Sequence, residues 1–304
     1  MYDIVVVGAG TAGLSAAIYA KRAGKNVLVL EGESYGGQII NTPDIENYPG
    51  IAHISGFDFA TGLYNQATAL GAEVKFEAVR EIKAEGKEKK VITDSGEYDT
   101  KTIILATGAK NRKLGVDGEK ELTGHGVSYC ATCDGMFYKG KDVAVVGGGN
   151  TALEDASFLA GYCNKVYIIH RRDEFRGDIK EVERLKVNKN VEFVMNAVVT
   201  ELKSEDNKLS AITVHDKVTN EDREIAVAGL FVAVGQVPDN NRFSAFVDLD
   251  EKGYIVSDET LTTRTPGVFT AGDCRTKKVR QLVTAASDGA AAALAAFDYI
   301  NANW

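Results

Sequence analysis

The 304-residue chain is poor in several residue types, and each shortage excludes something. It has four cysteines, too few for a disulfide scaffold in a protein of this size, so a closely spaced pair among them points to redox or metal chemistry. Its four histidines, His53, His125, His170 and His215, show no His-x₃₋₅-His spacing, and Cys-x-x-Cys occurs once. A four-ligand structural zinc site is therefore not expected, and no metal is assigned. Four prolines and no low-complexity stretch leave no hinge visible in the composition. No apolar run approaches the ~20 residues that span a bilayer. The start, Met1-Tyr2-Asp3-Ile4, lacks a basic region ahead of its short apolar run, so it does not read as a secretory leader and a cytoplasmic location is expected. Lysine and arginine number 35 against 43 acids, a net charge of −8, which argues against nucleic acid or an anionic membrane as partner.

What is present is a repeated nucleotide-binding pattern. Ile4–Val7 is an apolar run suited to a strand buried on both faces. Gly8, Gly10 and Gly13 follow, then a helix-like stretch over Leu14–Ala23 and a second strand over Val27–Leu30. The first glycine permits a tight turn, the second a close approach to a pyrophosphate, and the third close packing of helix on strand. Glu31 ends the second strand about 20 residues after the first glycine, where an acid binds a ribose diol. The pattern returns at Asp142–Val146, with Gly147, Gly149, Asn150, Thr151 and Ala152 in the turn, a helix expected over Leu153–Tyr162 and a strand over Val166–Ile169. The copies begin at Gly8 and Gly147, too far apart to be halves of one dinucleotide fold. The fold class is therefore α/β, with two Rossmann-like, three-layer nucleotide-binding domains.

The copies differ where their second strands end. After Ile169 come His170, Arg171, Arg172 and Arg176 in place of an acid. Arginines there would pair with the 2′-phosphate of NADPH; the plainer reading is a solvated basic turn. Just upstream of the second copy, Cys130 and Cys133 are spaced for a reversible disulfide, with zinc as the alternative. Asp134 follows directly. A carboxyl there can move protons to and from a thiolate, and Asp134-Gly135 is also a common turn dipeptide.

Together these motifs resemble the low-molecular-weight, bacterial-type thioredoxin reductases. The resemblance covers essentially the whole chain. Besides the two glycine motifs, it rests on Gly36-Gly37-Gln38, Glu46-Asn47-Tyr48-Pro49-Gly50, Ala106-Thr107-Gly108, Cys130–Gly135, His170–Arg176, Gly267–Asp273 and Arg280-Gln281. It implies FAD in a discontinuous domain, 1–112 with 243–304, and NADPH in a domain inserted at 113–242 that also carries the dithiol. Gly36, Gly37, Gln38, Asn47, Thr107, Gly108, Gly272, Asp273, Arg280 and Gln281 then join Gly8, Gly10, Gly13 and Glu31 at the flavin. Asp273 matches the ribitol-binding position. Arg280 and Gln281 open the helix aimed at the flavin ring. By the same resemblance Cys133 takes electrons from FAD, Cys130 attacks the partner disulfide, and Asp134 is the acid–base group.

The implied activity is NADPH-dependent reduction of thioredoxin by a homodimer. The domains would turn relative to one another, because the dithiol and the nicotinamide both need the same flavin. The alternative is the flavoprotein reductase of a peroxide-reducing system or of another thioredoxin-like protein. Met136 and His125 depart from common family residues near the expected docking surface and bear on which partner is preferred.

Overall fold

In the computed structural model, which describes residues 1–42 and 44–304, the expected strand runs pair in parallel. Ile4–Val7 lies between Val27–Leu30 and the end of the strand Glu97–Leu105. The helices are α1 (Thr11–Arg22), α2 (Gly56–Ala69), α3 (Ala131–Asp134), α4 (Asn150–Ala160), α5 (Ile179–Lys186) and α6 (Leu282–Asn303). The chain divides into two units, residues 1–110 with 237–304 and residues 111–236.

In the first unit the sheet runs Glu73–Lys75, Val27–Leu30, Tyr2–Val7, Glu97–Leu105, Lys89–Thr93, Val79–Lys83, and Val268–Thr270 adds in parallel to Glu97–Leu105. Its central strands are apolar on both faces because both faces are covered. Ile4, Val6, Val29 and Ile104 pack with α1 and α6; Val5, Val7, Leu28 and Ile103 pack on the opposite side with Val91, Phe243 and Ile255. Burying alternate residues on two faces gives three layers, and it explains why these strands read as continuous hydrophobic runs.

The second unit repeats the plan. Its parallel sheet is ordered Val191–Val194, Lys165–Ile169, Asp142–Gly147, Gly229–Ala233, Val127–Ser128. Val143, Val145 and Ile168 face α4 and α5, whereas Ala144, Val146 and Ile169 face an antiparallel meander, Ala197–Glu205, Lys208–Asp216 and Asp222–Ala226.

Three boundaries differ from the sequence reading. Both nucleotide-turn helices start earlier, at Thr11 and Asn150, so the first turn of each grows directly from the glycine motif. Helix α4 ends at Ala160, which leaves the buried Cys163 in the turn beyond it. The second unit spans 111–236 rather than 113–242. Asn240 accounts for much of that shift. It is fully buried, accepts from Thr107 Oγ1 at 2.9 Å, and donates to the carbonyls of Gly253 and Cys274 at 2.9 Å, all in the first unit.

Candidate active site and nucleotide sites

Helix α1 begins at Gly10 without a side-chain cap, so its first N–H groups are available to an anion and reinforced by the helix dipole. Two of the three glycines are required by contact. A Cβ on Gly8 would lie 2.4 Å from the Ala106 carbonyl oxygen, and one on Gly13 would lie 1.8 Å from that of Gly8. Gly10 keeps its approach open, with nothing closer than 4.0 Å. Both carboxylate oxygens of Glu31 are oriented by backbone donors, Ala9 N at 2.8 Å and Glu33 N at 2.9 Å.

These groups line a cavity of about 540 Å³, within the range of a small-molecule site. Gly8, Gly10, Glu31, Gly36, Gly37 and Gln38 line it, together with Thr107, Gly108, Asp273 and Gln281. Gly13, Gly272, Asn47 and Arg280 support it instead. Gly13 lies beneath the turn. A Cβ on Gly272 would stand 2.7 Å from Ala12 Cβ. The Asn47 amide donates to Gln281 Oε1 at 3.3 Å. The Arg280 guanidinium stacks over Tyr254, 4.1 Å from its centroid. Gln281 is also the N-cap of α6, in a reciprocal capping box with Thr284.

Asp273 carries the observation that bears most on a ligand. One carboxylate oxygen, Oδ1, is buried with no hydrogen-bond partner among the described residues, and burial raises the pKa against the pull of Lys277 and Arg280. A buried acceptor bordering a cavity fits a hydroxyl donor such as a polyol. The turn that presents it is anchored from below. Asp288 accepts from Gly272 N at 2.9 Å, from Arg275 Nε at 2.8 Å and from Lys277 Nζ at 2.9 Å. Sequence reading missed this anchor and also missed Asp239 and Arg242, which line the cavity. The turn at Gly235, which ends the second unit's last sheet strand, was the available signal that these two belong to the first unit.

The second glycine motif is built alike. Helix α4 begins at Gly149 with no side-chain cap, and a Cβ on Gly149 would meet nothing within 4 Å. Asn150 Oδ1 accepts from Asp178 N at 2.8 Å, Thr151 is exposed and Ala152 is buried. The basic loop folds back over this turn, with Arg176 N donating to Gly148 O at 2.8 Å. Arg171, Arg172 and Arg176 are all exposed there. His170 plays a different part. Its ring is buried beneath Gly148, where a Cβ would come within 2.0 Å of it, and stacks on Phe175 at 4.9 Å. Burial, with Arg172 and Arg176 acting in the same direction, lowers its pKa. It props the turn as a neutral ring.

In the same unit Cys130 and Cys133 form a disulfide, with S–S 2.04 Å, and both are half-buried. Cys130 is the N-cap of the single turn α3, and its carbonyl accepts from Asp134 N at 3.1 Å. Asp134 follows Cys133 at the end of α3 and is half-buried. Burial raises its pKa, opposed by a hydrogen bond from Ser128. Met136 and Phe137 are exposed directly after it. Among the described residues, the half-buried Asp44 and the exposed Glu46 and His53 hold metal-ligand atoms close together, but they pair with one another, His53 Nδ1 lying 3.0 Å from Asp44 and 3.3 Å from Glu46.

Residues 2–289 match the family model of the pyridine nucleotide-disulphide oxidoreductases. The thioredoxin reductase of Bacillus subtilis is 41% identical over 301 residues, covering 99% of this chain and 95% of that protein. The chain belongs to the pyridine nucleotide-disulphide oxidoreductases, in their low-molecular-weight thioredoxin reductase branch. It is therefore an oxidoreductase with two Rossmann-type nucleotide-binding folds. Another member of the branch, the thioredoxin reductase of Listeria innocua, is 42% identical with 99% and 94% coverage. The crystal structure of thioredoxin reductase from Streptococcus pyogenes superposes with a TM-score of 0.95 at 40% identity, covering 99% of each chain. That of Giardia duodenalis gives 0.92 at 34%, again over 99% of each. No helix among the described residues is long and apolar enough to cross a membrane.

Proposed function

We propose that this chain is an NADPH-dependent thioredoxin-disulfide reductase with FAD in the first unit and NADPH in the second. The observation that carries the reading is the Cys130–Cys133 disulfide followed directly by the half-buried Asp134, in the unit that also holds the uncapped N-terminus of α4. The buried Asp273 oxygen, the Glu31 carboxylate and the open N-terminus of α1 fit the ribityl, ribose and pyrophosphate groups of FAD. The N-terminus of α4 and the exposed Arg171, Arg172 and Arg176 fit the phosphates of NADPH. Bound flavin supplies a two-electron carrier between nicotinamide and sulfur.

The chain's own residues do the rest. With the disulfide reduced, the Cys130 thiol gives its proton to Asp134 and the thiolate attacks one sulfur of the partner's disulfide. A mixed disulfide forms and the partner's other sulfur leaves as a thiolate. Cys133, as thiolate, then attacks Cys130, which restores the intramolecular disulfide and releases the partner's second sulfur as a thiolate; with one proton from Asp134 and one from solvent the partner ends as a dithiol. Two copies are expected to assemble as a homodimer, acting in the cytoplasm.

The experiment is NADPH oxidation by the FAD-loaded protein, with and without thioredoxin and other thioredoxin-like proteins. A thioredoxin-dependent rate is expected, and its absence overturns the reading. Cys133→Ser should abolish disulfide reduction while NADPH still bleaches the flavin. Loss of bleaching in a folded, FAD-loaded variant contradicts the assigned order.

A further inference from the structure

Ser128 ends the short strand Val127–Ser128 and is 3% exposed. Its hydroxyl is held at both ends. Ser128 Oγ accepts from Cys130 N at 3.1 Å and donates to Asp134 Oδ2 at 2.6 Å. The hydroxyl has one hydrogen, and among the described residues the competing acceptor, Cys130 O, lies at 3.4 Å. The short contact to a carboxylate is the stronger by a wide margin. Asp134 N in turn donates to Cys130 O at 3.1 Å, so serine, cysteine and aspartate form a closed ring of hydrogen bonds. The other carboxyl oxygen, Asp134 Oδ1, is buried with no hydrogen-bond partner among the described residues.

We propose that Ser128 is a positioning residue for disulfide exchange: it clamps Oδ2 of Asp134 and so leaves Oδ1 as the oxygen that takes and returns the proton of the dithiol. Burial pushes the Asp134 pKa up, and the Ser128 hydrogen bond opposes it. Losing the hydroxyl therefore lets the pKa rise further and frees the carboxyl to rotate. Other ionisable groups stand on the neighbouring elements. Tyr138, on the turn after α3, is raised to about 12 by burial and by the charge of Asp134. Asp155 on α4 is pushed up to about 7 by burial and by Glu154. Tyr162, beyond α4, is raised by burial, with Cys163 and Asp155 adding to it. Asp155 titrates in the range of the measurement, so the test removes it.

The test is made on the FAD-loaded holoenzyme in an Asp155→Asn background. Single-turnover reduction of oxidised thioredoxin by the pre-reduced enzyme is followed against pH. Asp134 must be ionised to take the Cys130 proton, so the rate falls as pH drops through its pKa. Ser128→Ala is expected to move this acid limb to higher pH and to lower the plateau rate by about tenfold; Ser128→Thr, which keeps the hydroxyl, is expected to restore both. An unmoved limb in Ser128→Ala overturns the proposal, and so does a folded Ser128→Thr that restores nothing.

A second measurement needs no variant of Ser128. In the otherwise native protein, the infrared band of the protonated carboxyl is assigned by its loss in Asp134→Asn. It should report a C=O that accepts one hydrogen bond and an O–H that donates none; a donated O–H overturns the proposal. The inference rests on Asp134 being the acid–base group. Full thioredoxin reduction by Asp134→Asn would remove that reading, whereas an inactive Asp134→Asn with an unmoved limb in Ser128→Ala removes only the role of Ser128.

Discussion

Asp155 shows how one side chain sets a pH dependence that nothing in the catalytic reading requires. Burial, with Glu154 as a second cause, pushes its pKa up to about 7, against about 3.9 in an unfolded chain. At a pH below both values the group is protonated in both states and contributes no difference. Between them the folded state holds a proton that the unfolded state has lost, so stability falls as pH rises through this window and the full penalty stands above pH ~7. Asp155→Asn removes that penalty. Urea unfolding should show a gain of about 2–4 kcal/mol near pH ~8, discounted for the group's partial exposure, and none near pH ~3. A gain that is the same at both pH values would show that charge is not the cause. Residues of this kind were not legible in the sequence, where Asp155 is one acid on an amphipathic helix. Cys130, Cys133 and Asp134 were legible because they are adjacent. Asp288 was not, because its partners Arg275 and Gly272 come to it only through the fold, and Ser128 was passed over because a lone serine ahead of a Cys-x-x-Cys carries no spacing signal.

At the scale of elements, the glycine motifs say most about the sites because they act through backbone. Gly8 and Gly13 are fixed by contacts of 2.4 Å and 1.8 Å that no side chain could share, so the turn that opens α1 is legible in the sequence. The first residues of α1 and α4 are not legible, because Thr11 and Asn150 lack apolar periodicity of their own. A third glycine has the same importance without belonging to a motif. A Cβ on Gly289, in α6, would lie 2.1 Å from Ala12 O in α1, so the helix capped by Gln281 crosses the helix that follows the first glycine motif on bare backbone. Gly289→Ala must push α1 and α6 apart. It is expected to destabilise the first unit by about 1–3 kcal/mol and to weaken FAD binding to the apoprotein. The control is Gly62→Ala on α2, where a Cβ meets nothing within 4 Å; in a helix interior that change should gain about 0.5–1 kcal/mol and leave FAD affinity unaltered. Equal effects from the two substitutions would mean that the contact with Ala12 has no special weight.

At the scale of the whole molecule, the sequence order already carried the argument. The dithiol lies with the second glycine motif, inside the stretch 111–236 that interrupts the first unit. The interruption was readable because one β-α-β pattern precedes it and the Gly267–Asp273 strand follows it. Its far boundary was misplaced because Asn240 and Arg242 make their bonds only after folding, to Thr107 and to the Val79 carbonyl. Under the proposed function, one flavin in the first unit serves two groups of the second, the nicotinamide and the Cys130–Cys133 pair. Both need the same ring, and a rigid body that offered one of them permanently would complete only half of the reaction. Turnover then requires the second unit to move on the two chain crossings at 110–111 and 236–237. A cleavable lysine cross-linker, with the products mapped to peptides from each unit, tests this directly. In molecules tied between the units, NADPH-dependent thioredoxin reduction should stop, and cleaving the linker should restore it. Protein cross-linked only within a unit should keep its rate. Full turnover in the inter-unit fraction would mean that electrons reach the disulfide without domain motion, and the order of transfer through Cys133 would need another route.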